Sequence, residues 1–184
     1  MAIRIHPTAL VEDGVEIGDG TAVWDTVHIR APSRIGRDCI IGEKTYVAYG
    51  VEIGDRVKIN AFVYVCNAVS IETGVMIAAG TTFTNDRFPR ATTPDLAALR
   101  DSGPDEHTYP TRVGAGATIG ARSVIGSDLE IGRFAMVGMG SVVPGASPTS
   151  TWCWDIRRAA WGSSAAAANP SPARSSAVRT SPEP

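Results

Sequence analysis

From Ile5 onward an aliphatic or aromatic residue recurs every six positions. The series runs Ile5, Val11, Ile17, Val23, Ile29, Ile35, Ile41, Val47, Ile53, Ile59, Val65, Ile71, Ile77 and Phe83 without a slip. It resumes at Val113, Ile119, Ile125, Ile131, Val137 and Val143. A helix needs a period near 3.6 and a plain alternating strand a period of 2, so neither explains a strict six. Four residues after each hit stands a small or β-branched residue, as at Val15, Thr21, Val27, Ser33, Cys39, Thr45, Val51 and Val57. That residue and the next hit are two apart and share one face of a short strand, while the residue between them faces outward. Glycine often follows the hit, as at Gly18, Gly36, Gly42, Gly54, Gly114, Gly120 and Gly138, which suits a sharp corner there. The pattern predicts an all-β stack of short parallel strands with aliphatic side chains pointing inward.

Segments such as IGDGTAVWDTVHI, IGRDCIIGEKTYV and IGARSVIGSDLEIG resemble the hexapeptide-repeat acyltransferases. The resemblance implies a left-handed parallel β-helix of triangular cross-section, in which three hexads make one coil. Twenty hexads then give six to seven coils, a stack of roughly 30 Å at ~4.8 Å per strand. A coil of three hexads fixes the outward columns. Leu10, His28, Tyr46, Tyr64 and Thr82 form one, Glu16, Arg34, Glu52 and Ser70 a second with alternating charge, and Ala22, Ile40, Lys58 and Met76 a third. The first column exposes a histidine and two tyrosines in line, which suits either a subunit interface or the wall of a substrate cleft. It runs toward the long interruption, residues 84–112, and long loops often carry function.

Composition narrows the classes. The chain has 184 residues, a net charge of −2 and 43% hydrophobic residues, which fits one globular domain without the basic excess of a nucleic-acid or anionic-membrane binder. No signal-peptide core opens the chain and no apolar run of membrane-spanning length follows, so a cytoplasmic location is expected. Cys39, Cys66 and Cys153 lack CxxC spacing, which argues against a disulfide framework or a cysteine zinc site. Cys39 falls on an inward position and reads as core, whereas Cys66 falls on a corner and reads as partly exposed. Three histidines, His6, His28 and His107, share no face, which disfavours the metal-dependent hydratases of the same fold, and no metal is expected.

VWDTVHI, the TND..PRA loop and TRVGAGATIGA narrow the resemblance to the nucleotide-sugar amine N-acetyltransferases, over residues 1–143. It implies a homotrimer with sites between subunits, acetyl-CoA as acyl donor and a UDP- or dTDP-linked 3-amino sugar as acceptor, serving surface polysaccharide synthesis. The asparagine matching Asn85 stands beside the reacting amine in that family. Its carboxamide can accept an N–H bond and orient the nitrogen lone pair. His28 is the second catalytic candidate, as proton acceptor or sugar contact. Asp86 and Arg90 are candidates for substrate binding, Asp86 equally a turn residue and Arg90 suited to a diphosphate or carboxylate. Tyr46 and Tyr64 would line the acceptor cleft. Gly120, Gly138 and Ser141 match the region that holds the pantetheine arm. The rival classes are an O-acetyltransferase, in which His28 or His107 must supply a stronger base for a hydroxyl, and a non-catalytic trimeric scaffold.

The hexad series stops at Val143. Residues 144–184 hold no leucine, half of the prolines, nine alanines, eight serines and three of the four tryptophans. That composition predicts a disordered tail. The resembling enzymes continue instead with a V-P element and a closing G-x-P-A-K/R motif. Read one base out of frame with G/C-rich codons, Ala146–Trp161 encodes V-P-D-L-D-L-V-L-G-H-P-A-R-R-V-G, which is that ending. The expected finding on resequencing the DNA is a one-base insertion or deletion near codons 144–146, with higher acetyl-CoA affinity in the frame-restored chain. A confirmed frame together with a packed, protease-resistant tail would defeat this reading.

Overall fold

In the computed structural model, residues 2–86, 88–101 and 103–144 and the backbone of 154–155 are described. The architecture is an all-β solenoid with three parallel sheets, and no helix occurs among the described residues. The first face stacks Arg4–Ile5, Ala22–Val23, Ile40–Ile41, Lys58–Ile59, Met76–Ile77, Thr118–Ile119 and Ala135–Val137. The second stacks Leu10–Val11, His28–Ile29, Tyr46–Val47, Tyr64–Val65, Thr82–Phe83, Val124–Ile125 and Val142–Val143. The third stacks Glu16–Ile17, Arg34–Ile35, Glu52–Ile53, Val69–Ile71, Thr111–Val113 and Leu129–Ile131. These make six full coils and two sides of a seventh. Pairing is in register from one coil to the next, as in His28 with Tyr46 and Glu16 with Arg34, so all three outward columns stand as the period dictates. On the first face a two-residue strand, Trp154–Asp155, pairs antiparallel with Ala135–Val137. The remainder of the expectation for 145–184 lies outside the described residues.

The core is the column of hexad residues. Ile29, Ile41, Val47, Ile59, Val65, Ile77, Phe83, Val113, Ile119 and Ile125 are all fully buried. The second inward position is filled by Val27, Val51, Val57 and Val63, or by a hydroxyl. Five of the buried hydroxyls share one solution. Thr21 donates to the Gly36 carbonyl at 2.8 Å, Ser33 to Ala48 at 3.0 Å, Thr45 to Asn60 at 3.1 Å, Thr111 to Gly126 at 3.1 Å and Ser123 to Gly138 at 3.1 Å. Each bond runs forward along the chain to a corner one coil on. A polar atom in the core is thereby satisfied by backbone that the repeat always places there. Cys39 occupies the same slot, its Sγ 3.1 Å from the Gly54 carbonyl, and burial pushes its pKa up.

The corners differ from the expectation in one respect. The sharp bend falls three residues after the hit, where left-handed backbone occurs at Thr26, Asp38, Lys44, Arg56 and Phe62 and at Gly20 and Gly80. Glycine directly after the hit serves a different need, the close approach of the next coil. A Cβ on Gly36 would lie 2.5 Å from the Gly54 carbonyl carbon, and one on Gly120 would lie 2.4 Å from the Met139 nitrogen. The interruption also ends earlier than expected, because Thr111–Val113 is already a strand pairing with Val69–Ile71.

Adjacent residues of one strand should therefore differ sharply in value. Ile41 is fully buried and Ile40 is 40% exposed. Ile41→Ala is expected to cost about 2–5 kcal/mol in urea unfolding, and Ile40→Ala less than about 1 kcal/mol. Equal costs would show that the inward column does not carry the fold.

Candidate functional site

The inserted loop leaves the solenoid at the corner between the second and third faces. Its two ends zip together. The Tyr109 amide donates to the Asn85 carbonyl at 3.0 Å, and Asp86 bridges Thr108 in antiparallel fashion. Arg100 holds the interior of the loop. Its guanidinium donates to Asp105 and to the Phe88 carbonyl (3.3 Å) and stands 3.6 Å from Asp86. The Arg100 pairing keeps the Asp105 carboxyl below its ordinary range, and the His107 amide adds to it. A cavity of about 360 Å³ opens inside this loop, lined by Asn85, Asp86, Arg90, Arg100 and Asp105 among others. It unites three of the residues singled out in the sequence. Asp86 also behaves as a turn residue, accepting the Phe88 amide at 2.7 Å. Arg90 is exposed, and its guanidinium donates to the adjacent Pro89 carbonyl at 3.0 Å. His107 stands farther out, edge-on to Phe88 with centroids 6.2 Å apart.

His28, Tyr46 and Tyr64 lie in one line on the second face. The His28 ring meets Tyr46 edge-on at 5.3 Å, and Tyr46 stacks on Tyr64 at 5.4 Å with the rings 6° from parallel. His28 is not idle, because its Nε2 lies 3.1 Å from Glu12 Oε1. Glu12 also accepts from Arg30 Nε at 3.0 Å and from the Ala31 amide at 3.0 Å. The Ala31 amide, then His28, then Arg30 hold the Glu12 carboxyl below its usual value. Bonding to Tyr46, and then to Glu12, raises the pKa of Arg30.

Residues that the sequence did not single out connect these two groups. Next to the Glu12–Arg30 corner, Tyr49, Asn67 and Asn85 stack at successive coils. Asn67 Nδ2 donates to the Tyr49 hydroxyl at 3.2 Å, and Asn85 Nδ2 donates to Asn67 Oδ1. The Arg30 guanidinium carbon lies 5.7 Å from the centre of the Tyr49 ring. The one-coil spacing of 49, 67 and 85 was the available signal. Cys66, expected to be partly exposed, is buried at 2%, and burial pushes its thiol up to about 12. Buried and held protonated, it offers no reactive thiolate.

Gly120, Gly138 and Ser141 lie at the opposite edge of the second face, where it meets the first. Gly120 has the packing reason given above. Among the described residues, a Cβ on Gly138 would meet only Ser141 Oγ at an ordinary 3.6 Å. Within one chain this edge and the Asn85 cavity lie on opposite sides of the second face.

Two hexapeptide models match the chain. Bacterial transferase hexapeptide (six repeats) matches residues 14–49 and 50–85, and the hexapeptide repeat of succinyl-transferase matches residues 32–67 and 110–144. The chain belongs to the bacterial hexapeptide-repeat transferase family. The acyl-[acyl-carrier-protein]–UDP-N-acetylglucosamine O-acyltransferase of Brucella ovis is 38% identical over 55 residues, 30% of this chain and 20% of that protein. Among solved structures, WeeI from Acinetobacter baumannii AYE superposes with a TM-score of 0.52 at 24% identity, over 76% of this chain and 53% of that one. PerB from Caulobacter crescentus, solved with CoA and GDP-perosamine, gives a TM-score of 0.32 at 22% identity, over 77% and 53% of the two chains. This hexapeptide-repeat chain thus spans a fifth of the curated relative and about half of the solved neighbours. No helix among its described residues is long and apolar enough to cross a membrane.

The Glu12 arrangement has a measurable pH signature. A carboxyl whose folded pKa is depressed contributes stability above its unfolded value, and that contribution is lost as pH falls through the folded value. Glu12→Gln is therefore expected to lower stability by a roughly constant amount above the ordinary 4.5, and to flatten the fall of stability below it. Identical acid limbs in thermal melts of the variant and the parent would remove Glu12 as an organiser of this corner.

Proposed function

We propose that this protein is an acetyl-CoA-dependent N-acetyltransferase acting on the amine of a nucleotide-linked amino sugar, of the UDP- or dTDP-3-amino type, and working as a homotrimer. Family membership supports an acyl transferase. The observation that carries the finer reading is that Asn85, Asp86 and Arg90 line one cavity in the loop. Acetyl transfer forms a bond between the amine nitrogen and the thioester carbonyl carbon and breaks the carbon–sulfur bond. The ammonium proton passes to the departing thiolate, directly or through water, which yields the amide and free CoA thiol. The Asn85 Oδ1 accepts an amine N–H and aims the lone pair, a positioning role that needs no ionisable base. Arg90, exposed at the cavity, is suited to meet the diphosphate.

The separation of the two half-sites within one chain supports the trimer. The second-face column, Leu10, His28, Tyr46, Tyr64, Thr82, Val124 and Val142, carries no carboxylate, lysine or arginine. The third-face column alternates charge, with Arg34 paired to Glu16 at 2.8 Å. An uncharged aromatic face suits a subunit contact. Such a contact can bring the Gly138 edge of one copy to the Asn85 cavity of another. One observation favours a second reading. The Glu12–His28 pair is the arrangement a general base requires, so O-acetylation of a sugar hydroxyl is the alternative.

The test offers acetyl-CoA with amino-sugar nucleotides, hydroxyl sugars or no acceptor, and follows thiol release. Asn85→Ala is expected to lower turnover by about 100-fold, far more than it lowers stability, because Asn85 lies outside the hexad column and the one buried partner it leaves, Asn67, costs about 1–3 kcal/mol. His28→Ala should cost less than Asn85→Ala for an amine acceptor, and as much or more for a hydroxyl. Unchanged turnover in Asn85→Ala removes Asn85 from the mechanism, and a monomer by light scattering at micromolar concentration defeats the interfacial site.

A further inference from the structure

The Tyr49–Asn67–Asn85 ladder has a direction, and the direction decides which end of the Asn85 amide faces the cavity. Asn85 gives its Nδ2 to Asn67, and Asn67 gives its own Nδ2 to Tyr49. Asn67 is 8% exposed, so its amide cannot turn to water for partners. The chain of donors runs Asn85 to Asn67 to Tyr49, and the Tyr49 ring is held beneath the Arg30 guanidinium. With its nitrogen committed inward, Asn85 presents Oδ1. Reversed, with Tyr49 donating to Asn67 and Asn67 to Asn85, the same three residues would present Nδ2. An NH₂ group cannot accept an N–H from an amine.

We propose that Asn67 is the positioning residue of this site, fixing the Asn85 carboxamide so that its oxygen, not its nitrogen, meets the acceptor amine. This rests on the acyl-transfer role given to Asn85. It assigns a function to a buried corner residue that touches neither substrate. It also explains why a polar side chain occupies a position where packing alone would be satisfied by an aliphatic one. Neighbouring Cys66 and Val69, both 2% exposed, show how apolar that corner is.

Two substitutions of similar size separate direction from packing. Asn67→Leu removes the acceptor, and the Asn85 amide loses its fixed orientation. Asn67→Asp supplies an obligate acceptor when ionised, and the Tyr49 hydroxyl can rotate to donate to it. When that carboxyl is protonated it can instead donate to Asn85 Oδ1 and turn the amide. Burial raises its pKa above the ordinary ~3.9. Asn67→Asp should therefore retain kcat at high pH and lose it as pH falls through that raised pKa, an acid limb that the parent lacks.

The assay uses the full chain with acetyl-CoA and whichever amino-sugar nucleotide the panel above selects, with Asn85→Ala run beside it. Asn67→Leu is expected to lower kcat by about 10- to 100-fold while KM for acetyl-CoA moves by less than about twofold. A kcat within about twofold of the parent for Asn67→Leu, with Asn85→Ala impaired, overturns the positioning role and leaves Asn85 in place. Equal loss in the Leu and Asp variants at every pH from about 6 to 9 overturns it as well, since only packing then matters. If Asn85→Ala is as active as the parent, the fault lies with the acyl-transfer reading itself. Side-chain amide NMR needs no acceptor. The Asn85 Nδ2 protons should exchange slowly in the parent and in Asn67→Asp, and rapidly in Asn67→Leu. Unchanged exchange in Asn67→Leu overturns the ladder.

Discussion

One aliphatic side chain in every hexad, pressed against its copies one coil above and below, sets the terms for the rest of the molecule. Each inward Ile or Val sits on a strand of only two or three residues, too short to hold by hydrogen bonds alone. Stacking supplies what length does not. Ile41, Ile59, Ile77 and Ile119 form a continuous column with no solvent exposure, and every rung shares its backbone bonds with the next. A constant cross-section follows, and it forces each corner to turn within the same few residues. Left-handed backbone at Lys44, Arg56 and Phe62 is the local cost of that demand, roughly 1–2 kcal/mol for each non-glycine residue. The column above and below over-determines the corner and holds it there.

That constraint is also why so much of the fold is legible in the sequence. The period of six points to stacked short strands, and the three-hexad coil that the family resemblance implies then places His28 beside Tyr46 and Glu16 beside Arg34. Period does not reveal how a corner side chain points. Glycine after the hit looked like the bend itself, whereas at Gly36 and Gly120 it is the clearance for the next coil, as the 2.4 Å approach to Gly120 shows. Cys66 looked exposed because corners usually are, but it is buried. Asn85 and Asp86 were readable from their place at the start of the loop. Tyr49 and Asn67 carried only a spacing, and their link to Asn85 depends on side-chain direction that no periodicity encodes. Arg100 was unreadable for a different reason. Its partners Asp86 and Asp105 are local to a loop with no repeat to set a register.

The insertion is tolerated because the rungs ignore it. Ser70 still pairs with Arg112, Met76 with Thr118 and Thr82 with Val124, as though the coil had its usual length. Closing the loop between Asn85 and Tyr109 returns the chain to the corner it left, so the aliphatic column passes beneath it unbroken. The entropic cost of such a loop rises only slowly with length. The loop is then free to vary in chemistry while its root is fixed by the solenoid. Asn85 stands at that root, half in the repeat through Asn67 and half in the cavity.

This placement resolves a conflict between rigidity and access. The positioning role proposed for Asn85 needs an amide held to within a fraction of an ångström that still faces a cavity the proposed acceptor can enter. A residue in the middle of the loop would be accessible but held by few partners, as Arg90 is. One within a strand would be rigid but covered by the adjoining coil. At the corner, the coil repeat supplies a column of side chains below Asn85, and the loop supplies open volume above it. The same column reaches Arg30 through Tyr49, and Arg30 shares Glu12 with His28. The two catalytic candidates are therefore joined by a chain of contacts, although they stand far apart in the sequence. In a solenoid, distance along the sequence is a poor guide to coupling, because each coil returns the chain to the same edge.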